Sequence, residues 1–513
     1  WRSPAGEAGA ALLAAREAAD ADPAVRRAAL YALARRPERE ALPALRAALT
    51  DGDPWVASVA ARAVGLLADR ESAPHLLSLA QGSEPSPAIQ SLLALERLAA
   101  SGAALPDAAV TVARERAADP APGIALAALR LLGRCPGEEA RAALLSAVEA
   151  PGRRAGVALS VLALSDAAGV ERIAFPAGPP ARLELRLGAA EAVAQLPHGE
   201  ARHFVERLLD DPSPRVRGTA VGGLSAEAAA ASPELLVRAL SDPDLAVAAA
   251  ALETSAKTAG AAAAGTGLAA AFDRAFERCA SSGEADFVVS ALQAAALLPG
   301  GAEERLLRFA DAPDPVARER ARALLASLPG GGGRTLVPRP VPTRFGPADY
   351  QRIARRALGS AVTARIETER GGVELELLAE EAPMTVESFV SLAHGGFFDG
   401  LLFHRVVPDF VVQGGDPRGD GTGGPGYAVR DELNPVPYER GTVGMALSGP
   451  DTGGSQWFVA LSPQPHLDGS YTVFGRVASG LPVLDRIEQD DRMLRVRVSE
   501  SPRPAPPPGV TGH

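Results

Sequence analysis

Over residues 1–328, apolar positions recur at helical spacing, and the pattern itself repeats. In the copy that starts at Asp22, residues Val25, Ala29, Ala32 and Leu33 fall on one helical face. An acidic residue and Pro introduce each copy; an apolar residue follows, often then Arg, with Ala three or four positions later. The motif stands as Asp22-Pro23-Ala24-Val25-Arg26, Asp53-Pro54-Trp55-Val56, Pro87-Ala88-Ile89 and Pro122-Gly123-Ile124. It returns as Pro214-Arg215-Val216-Arg217, Asp244-Leu245-Ala246-Val247 and Asp314-Pro315-Val316-Ala317-Arg318. The anchors Val25, Val56, Ile89 and Ile124 lie 31, 33 and 35 residues apart, and Val216 and Val247 again 31. The gap of 92 from Ile124 to Val216 fits three degenerate units. Asp accepts hydrogen bonds from free N–H groups at a helix start, and Pro at the first position loses nothing because its N–H would be orphaned. A second amphipathic segment accompanies each period, as at 41–49 and 73–79. Two such helices cannot bury their apolar faces alone, so neighbouring units stack. The pattern predicts an all-α solenoid over 1–328. An Ala-rich helical bundle would share the composition without the stacking.

The pattern then changes. Residues 329–347, PGGGGRTLVPRPVPTRFGP, build neither helix nor core and read as a Gly/Pro-rich linker. Beyond them phenylalanine clusters and apolar runs alternate. Residues 364–378 read as two strands around a Gly-Gly turn, and 385–394 as a helix with Thr385 as its cap. The blocks 402–407, 410–413, 442–446, 456–461 and 472–477 read as short strands. So many short strands with Gly-rich turns predict a mainly-β closed barrel, set within a domain at 348–498. Residues 499–513, SESPRPAPPPGVTGH, read as a Pro-rich disordered tail.

Composition narrows the partners. Of 513 residues, 47% are hydrophobic but only 4% aromatic, so Ala and Leu carry the apolar load of a large helical part. Lys and Arg total 52 against 62 Asp and Glu, a net charge of −10, which disfavours nucleic acid as main partner. Lys257 is the one lysine, a bias that reads as genome composition rather than chemistry. Two cysteines, Cys135 and Cys279, make neither a disulfide scaffold nor a cysteine-rich zinc domain; pairing and the reduced state both stay open. His75, His198 and His203 lack metal-ligand spacing and read as surface or capping residues. No run of 18 strongly apolar residues exists, so no membrane span is expected. The chain opens at Trp1, which leans towards a cell-envelope or periplasmic protein after signal removal, with the cytoplasm left open.

The repeats resemble HEAT-type repeats of the short bacterial kind across roughly residues 8–328, on the Asp-Pro-x-Val-Arg-x-x-Ala signature. That resemblance implies a curved superhelix whose concave surface takes a protein partner. The later region carries Phe403-His404-Arg405-Val406-Val407-Pro408, then Phe410-Val411-Val412-Gln413-Gly414-Gly415-Asp416-Pro417 and Gly421-Thr422-Gly423-Gly424. Gly444-Met445-Ala446, Gly454-Ser455-Gln456-Trp457-Phe458, His466-Leu467-Asp468-Gly469 and Val473-Phe474-Gly475 follow in order. With the helix motif Thr385-Val386-Glu387-Ser388-Phe389, this is similar to a cyclophilin-type peptidyl-prolyl cis–trans isomerase over about 362–496. The resemblance implies an eight-stranded antiparallel barrel closed by two helices.

Rotation about an X–Pro bond faces a barrier of about 20 kcal/mol, because the C–N bond has partial double-bond character. Lowering it needs no nucleophile, metal or cofactor. It needs a buried guanidinium aimed at the deconjugated nitrogen or the turning carbonyl, and a rigid apolar grip on the ring. By resemblance, Arg405 is the catalytic arginine, and Gln413 steadies it and bonds the substrate carbonyl. Phe410, Val411, Phe458 and Leu467 match the proline pocket, although Phe410 and Phe458 taken singly also suit plain core. Ala446, Leu447 and Ser448 sit where backbone pairs with the residue before proline, and Gly421, Thr422 and Gln456 line the groove. Val411 stands where Met is usual, His466 where a cyclosporin-binding Trp is usual and Tyr471 where His is usual. His466 is assigned to groove lining, since isomerisation moves no proton. The expected whole is an isomerase assisting folding of proline-containing polypeptides, with a client- or partner-recruiting solenoid. The alternative is a non-catalytic scaffold whose barrel binds Pro-containing segments, and self-assembly is the alternative role for the solenoid.

Overall fold

Each copy of the Pro motif begins a helix in the computed structural model, which describes residues 20–178, 181–258, 267–298, 300–329 and 346–503. The motif helices are α1 (Pro23–Arg35), α2 (Pro54–Leu66), α3 (Pro85–Ala100), α4 (Pro122–Arg134), α5 (Arg153–Leu162) and α6 (Leu183–Ala192). They continue as α7 (Pro214–Gly222), α8 (Leu245–Thr258), α9 (Ala285–Ala296) and α10 (Pro315–Ser327). At least one further helix lies between successive motif helices, such as Leu42–Ala48 and Ala73–Gln81. The 92-residue gap from Ile124 to Val216 thus holds three pairs, led by α4, α5 and α6.

The chain forms two compact units. One comprises Trp1–Gln195 with the short stretches Val407–Phe410 and Leu461–Pro463, and the other Leu196–Val406, Val411–Ala460 and Gln464–His513. In the first unit α1 to α6 pack each on the next; in the second α7 to α10 do so. Val56, Ala60, Leu92 and Leu95 are wholly buried between motif helices, as the periodicity requires. Gly156 and Gly188 bring the backbones of α5 and α6 together: a Cβ on Gly188 would lie 2.3 Å from the Gly156 carbonyl oxygen.

Neither the acid nor the Pro of the motif is obligatory: α5, α6, α8 and α9 start without Pro, and at α8 Asp244 caps by accepting from the Ala246 amide at 2.9 Å. Asp53 accepts from the Trp55 and Val56 amides at 3.0 and 3.3 Å, a cap worth about 1 kcal/mol. Asp22 and Asp314 cap likewise, whereas α3, α4 and α7 start at Pro with no side-chain cap. The motif Arg has a definite job. Arg26 reaches Asp51 in the next unit at 2.8 and 2.9 Å and also donates to the Asp20 carbonyl at 3.0 Å. Arg217 repeats this with Asp242 at 2.8 and 2.9 Å and the Asp211 carbonyl at 2.8 Å.

The later region forms one eight-stranded sheet. Its strands are β1 (Ser360–Thr368), β2 (Gly371–Leu377), β3 (Arg405–Val407), β4 (Val411–Gly414), β5 (Thr442–Met445), β6 (Trp457–Ala460), β7 (Val473–Ser479) and β8 (Met493–Pro502). They run in the order β3-β4-β6-β5-β7-β2-β1-β8. The closed barrel expected from the sequence is corrected here: the sheet is an open half-barrel, because its edges β3 and β8 do not pair. β3 has only three residues, and the stretch before it bonds instead to residues ahead of β8, Phe403 N to Asp491 O and Asp490 N to Phe403 O, both at 2.9 Å.

Helices α11 (Pro347–Gly359), α12 (Pro383–His394) and the single turn α13 (Leu481–Leu484) accompany the sheet, where two were expected. Three local readings also shift. The β1–β2 turn falls at Glu369-Arg370, with Gly371 and Gly372 already in β2. Thr385 is not a cap: it lies inside α12, where its amide and hydroxyl donate to the Glu432 carboxylate at 2.8 and 2.7 Å. Ser499–Pro502, the start of the tail as read, belong to β8 and pair with β1. Residues 330–345 of the linker and 504–513 of the tail lie outside the described residues.

Candidate active site

The short strands of the sheet place the side chains of the site. β4 pairs with β6 so that Gln413 stands opposite Phe458, and Val411 opposite Ala460. Arg405 opens β3 at the sheet edge. Its guanidinium donates to Gln413 Oε1 at 3.2 Å, Gln413 Nε2 donates to Gln456 Oε1 at 3.0 Å, and Gln456 Nε2 donates to the Gly421 and Gly423 carbonyls at 3.0 and 2.9 Å. One hydrogen-bonded relay thus runs from the arginine to the Gly-rich loop. Arg405 is exposed, where the chemistry was expected to use a buried guanidinium, because β3 is an edge strand. Protein packed about its head group still holds it below the usual guanidinium value, a shift that Tyr471 opposes.

Phe458 is buried, stacked on Tyr438 with centroids 5.6 Å apart and met edge-on by Tyr471 at 6.1 Å. Gly444 makes room for that stack, since a Cβ there would fall 2.2 Å from the Tyr438 hydroxyl. Leu467 and Val411 are buried, and His466 beside Leu467 is exposed. Phe410 is half-buried in the turn before β4, within the stretch grouped with the first unit, and its carbonyl accepts from Leu461 N at 2.8 Å.

A cavity of about 190 Å³ in the second unit is lined by Gln413, Gly421, Ala446, Leu447, Ser448 and Gln456. Thr422 is not part of its wall; its hydroxyl bonds Asp420 and accepts from Arg418 Nε at 3.1 Å. The Ala446 amide is already taken by the Gln456 carbonyl at 3.0 Å. Sequence reasoning missed four contributors. Asp416 accepts from the amides of Arg418, Asp420 and Gly421 at 2.8, 2.8 and 2.5 Å and so shapes the loop; its place after Gly414-Gly415 was a usable turn signal. Glu284, Asp286 and Asp314, from the helical repeats of the same unit, line the cavity too, and nothing in the sequence could link them to it. Ser448 donates to Asp286. Burial, then Asp416, Glu284 and Asp420, push the Asp286 carboxyl up to about 7.

The family model described as cyclophilin type peptidyl-prolyl cis-trans isomerase/CLD matches residues 363–511. A peptidyl-prolyl cis-trans isomerase of Helicobacter pylori is 46% identical over 159 residues, covering 30% of this chain and 98% of the relative. The peptidyl-prolyl cis-trans isomerase B of Bacillus subtilis is 54% identical over 128 residues, 25% of this chain and 90% of the relative. The chain belongs to the cyclophilin-type peptidyl-prolyl cis–trans isomerases. Its cyclophilin part spans the sheet and the relay just described. A second family model, HEAT repeats, matches 10–96 and 181–256. The stretch between those matches holds α4 and α5, where the motif is degenerate. Among the described residues no helix is long and apolar enough to cross a membrane. Cys135 and Cys279 are free thiols, and burial pushes both up to about 11.

Proposed function

We propose that this isomerase turns X–Pro bonds of polypeptides at a groove centred on Arg405, with Gln413 and Gln456 as its positioning residues. The observation that carries the reading is the relay Arg405–Gln413–Gln456–Gly421, which holds the guanidinium in a fixed position. A fixed donor costs no reorganisation when the amide twists and its nitrogen regains a lone pair. Phe458, Leu467, Tyr471, Phe410 and Val411 grip the proline ring; Ala446, Leu447, Ser448 and Gly421 take the preceding residues, and exposed His466 lines the rim. Val411 shortens the pocket wall and keeps it apolar. The HEAT repeats hold a protein partner or client, and folding assistance follows from joining the two activities in one chain. Domain limits near 328, 348 and 498 belong to the same proposal.

NMR exchange on a short Ala-Pro peptide tests the site. The full chain accelerates exchange, and Arg405→Ala loses about 10²–10³-fold of kcat/KM. Equal acceleration by both proteins would remove Arg405 from the chemistry. Background exchange in both would leave a Pro-segment binding scaffold.

A further inference from the structure

Other arginines on the repeat helices are answered by carboxylates of the neighbouring repeat: Arg26 by Asp51 at 2.8 Å, Arg46 by Asp69, Arg141 by Asp166 at 2.7 Å. A row inside the first unit is different. Arg62, Arg97 and Arg130 stand in the C-terminal halves of three successive motif helices, α2, α3 and α4, and none makes an ion pair or hydrogen bond among the described residues. The carboxylates near them are already engaged, Glu96 by Arg134 at 3.0 Å and Glu191 by Arg153 at 2.7 Å.

The middle guanidinium, Arg97, feels the other two. Burial holds Arg97 below its usual value, and Arg62 and Arg130 add to that against the pull of Glu96. Arg130 is lowered by loss of solvent about its head group and then by Arg153, against Glu191 and Glu96. Arg97 Nη1 is wholly buried, close to where Gly65 leaves α2 without a side chain. Arg62 and Arg130 are exposed. An unanswered row of like charges is a cost to the fold that an anionic partner removes.

We propose that Arg62, Arg97 and Arg130 form a docking row for an extended, acidic polypeptide segment. The spacing specifies that segment further. Packed helices lie roughly 9 Å apart, and an extended strand advances ~3.3 Å per residue, so carboxylates at about every third residue meet successive arginines. Arginine's fork suits carboxylates held side-on.

The test is fluorescence anisotropy of the full chain with a labelled Gly/Ser peptide carrying Glu at three positions spaced by three. The wild type binds it, binding weakens as salt rises, and the Gln version of the peptide does not bind. The triple variant Arg62→Gln, Arg97→Gln, Arg130→Gln loses at least tenfold in affinity. Its thermal midpoint does not fall, because no pair is broken. A second triple variant, Arg35→Gln, Arg39→Gln, Arg70→Gln, removes the same charge from exposed positions outside the row and keeps binding. Equal losses in both variants, or no binding to the wild type, would overturn the row. Tighter binding of a single-stranded oligonucleotide of equal charge, lost with the row, would also overturn the assignment, in favour of nucleic acid.

Discussion

A carboxyl group surrounded by other carboxyl groups keeps its proton, and Asp286 is in that position. Glu284, Asp416 and Asp420 face it, it accepts from Ser448, and burial does the rest. Its folded value of about 7 lies above the ordinary carboxylate value near 3.8. The folded state therefore binds more protons than the unfolded between those values, and stability falls as pH rises through that window. Asp286→Asn has no proton to lose. Chemical denaturation should show the variant gaining on the wild type by about 2–3 kcal/mol between pH 5 and pH 8. Identical pH profiles would mean that the carboxyl is solvated. The same residue marks a limit of sequence reading. Arg405, Gln413 and Gln456 lie within 52 positions of one another and were legible from their motifs, whereas Asp286 reaches the cavity from another part of the chain.

Elements were legible to the extent that their signals are local. The Pro motif located helix starts because a missing N–H is a property of one residue, and α1, α2 and α10 begin where it predicts. Thr385 was misread because its partner, Glu432, is 47 residues away; a local cap and a tertiary clamp look alike in sequence. β8 went unread although Arg495 and Arg497 alternate with Val496 and Val498, because its pairing with β1 spans the domain and Pro502 disguised its end. Closure was over-read, since alternation gives strands but says nothing about whether the edge strands meet. The motif Arg shows what the repeat pattern encodes beyond helices. The Arg26 hydrogen bond holds the Asp51 carboxyl below its usual range, against the effect of burial. Stability from a lowered carboxylate is present above its unfolded value and lost as pH falls through the folded one, here below about pH 4. Arg26→Gln should thus lower the thermal midpoint at pH 7, and the gap from wild type should close as the acid limb is descended. A gap that persisted at pH 2 would assign Arg26 to packing or to its Asp20 carbonyl bond instead.

At the scale of the molecule, two weak encounters become one. A short Pro peptide meets the groove alone, whereas a client with an acidic stretch would also meet the arginine row of the first unit. Covalent connection converts the second encounter into an intramolecular one, at an effective concentration in the millimolar range for a spacer that reaches. The benefit appears in KM, because the chemistry at the proline is unchanged. A set of peptides joining the spaced-Glu segment to Ala-Pro through Gly/Ser spacers of graded length should therefore show a minimum in KM. At that minimum KM is at least about tenfold below that of Ala-Pro alone, with kcat constant. In the Arg62→Gln, Arg97→Gln, Arg130→Gln variant the minimum disappears while the turnover of the short peptide stays at the wild-type value. In Arg405→Ala the joined peptide still binds, and turnover is lost. If KM were flat across all spacers although the row binds its segment, the two sites would act on separate polypeptides, and the repeats would recruit a partner rather than deliver a substrate.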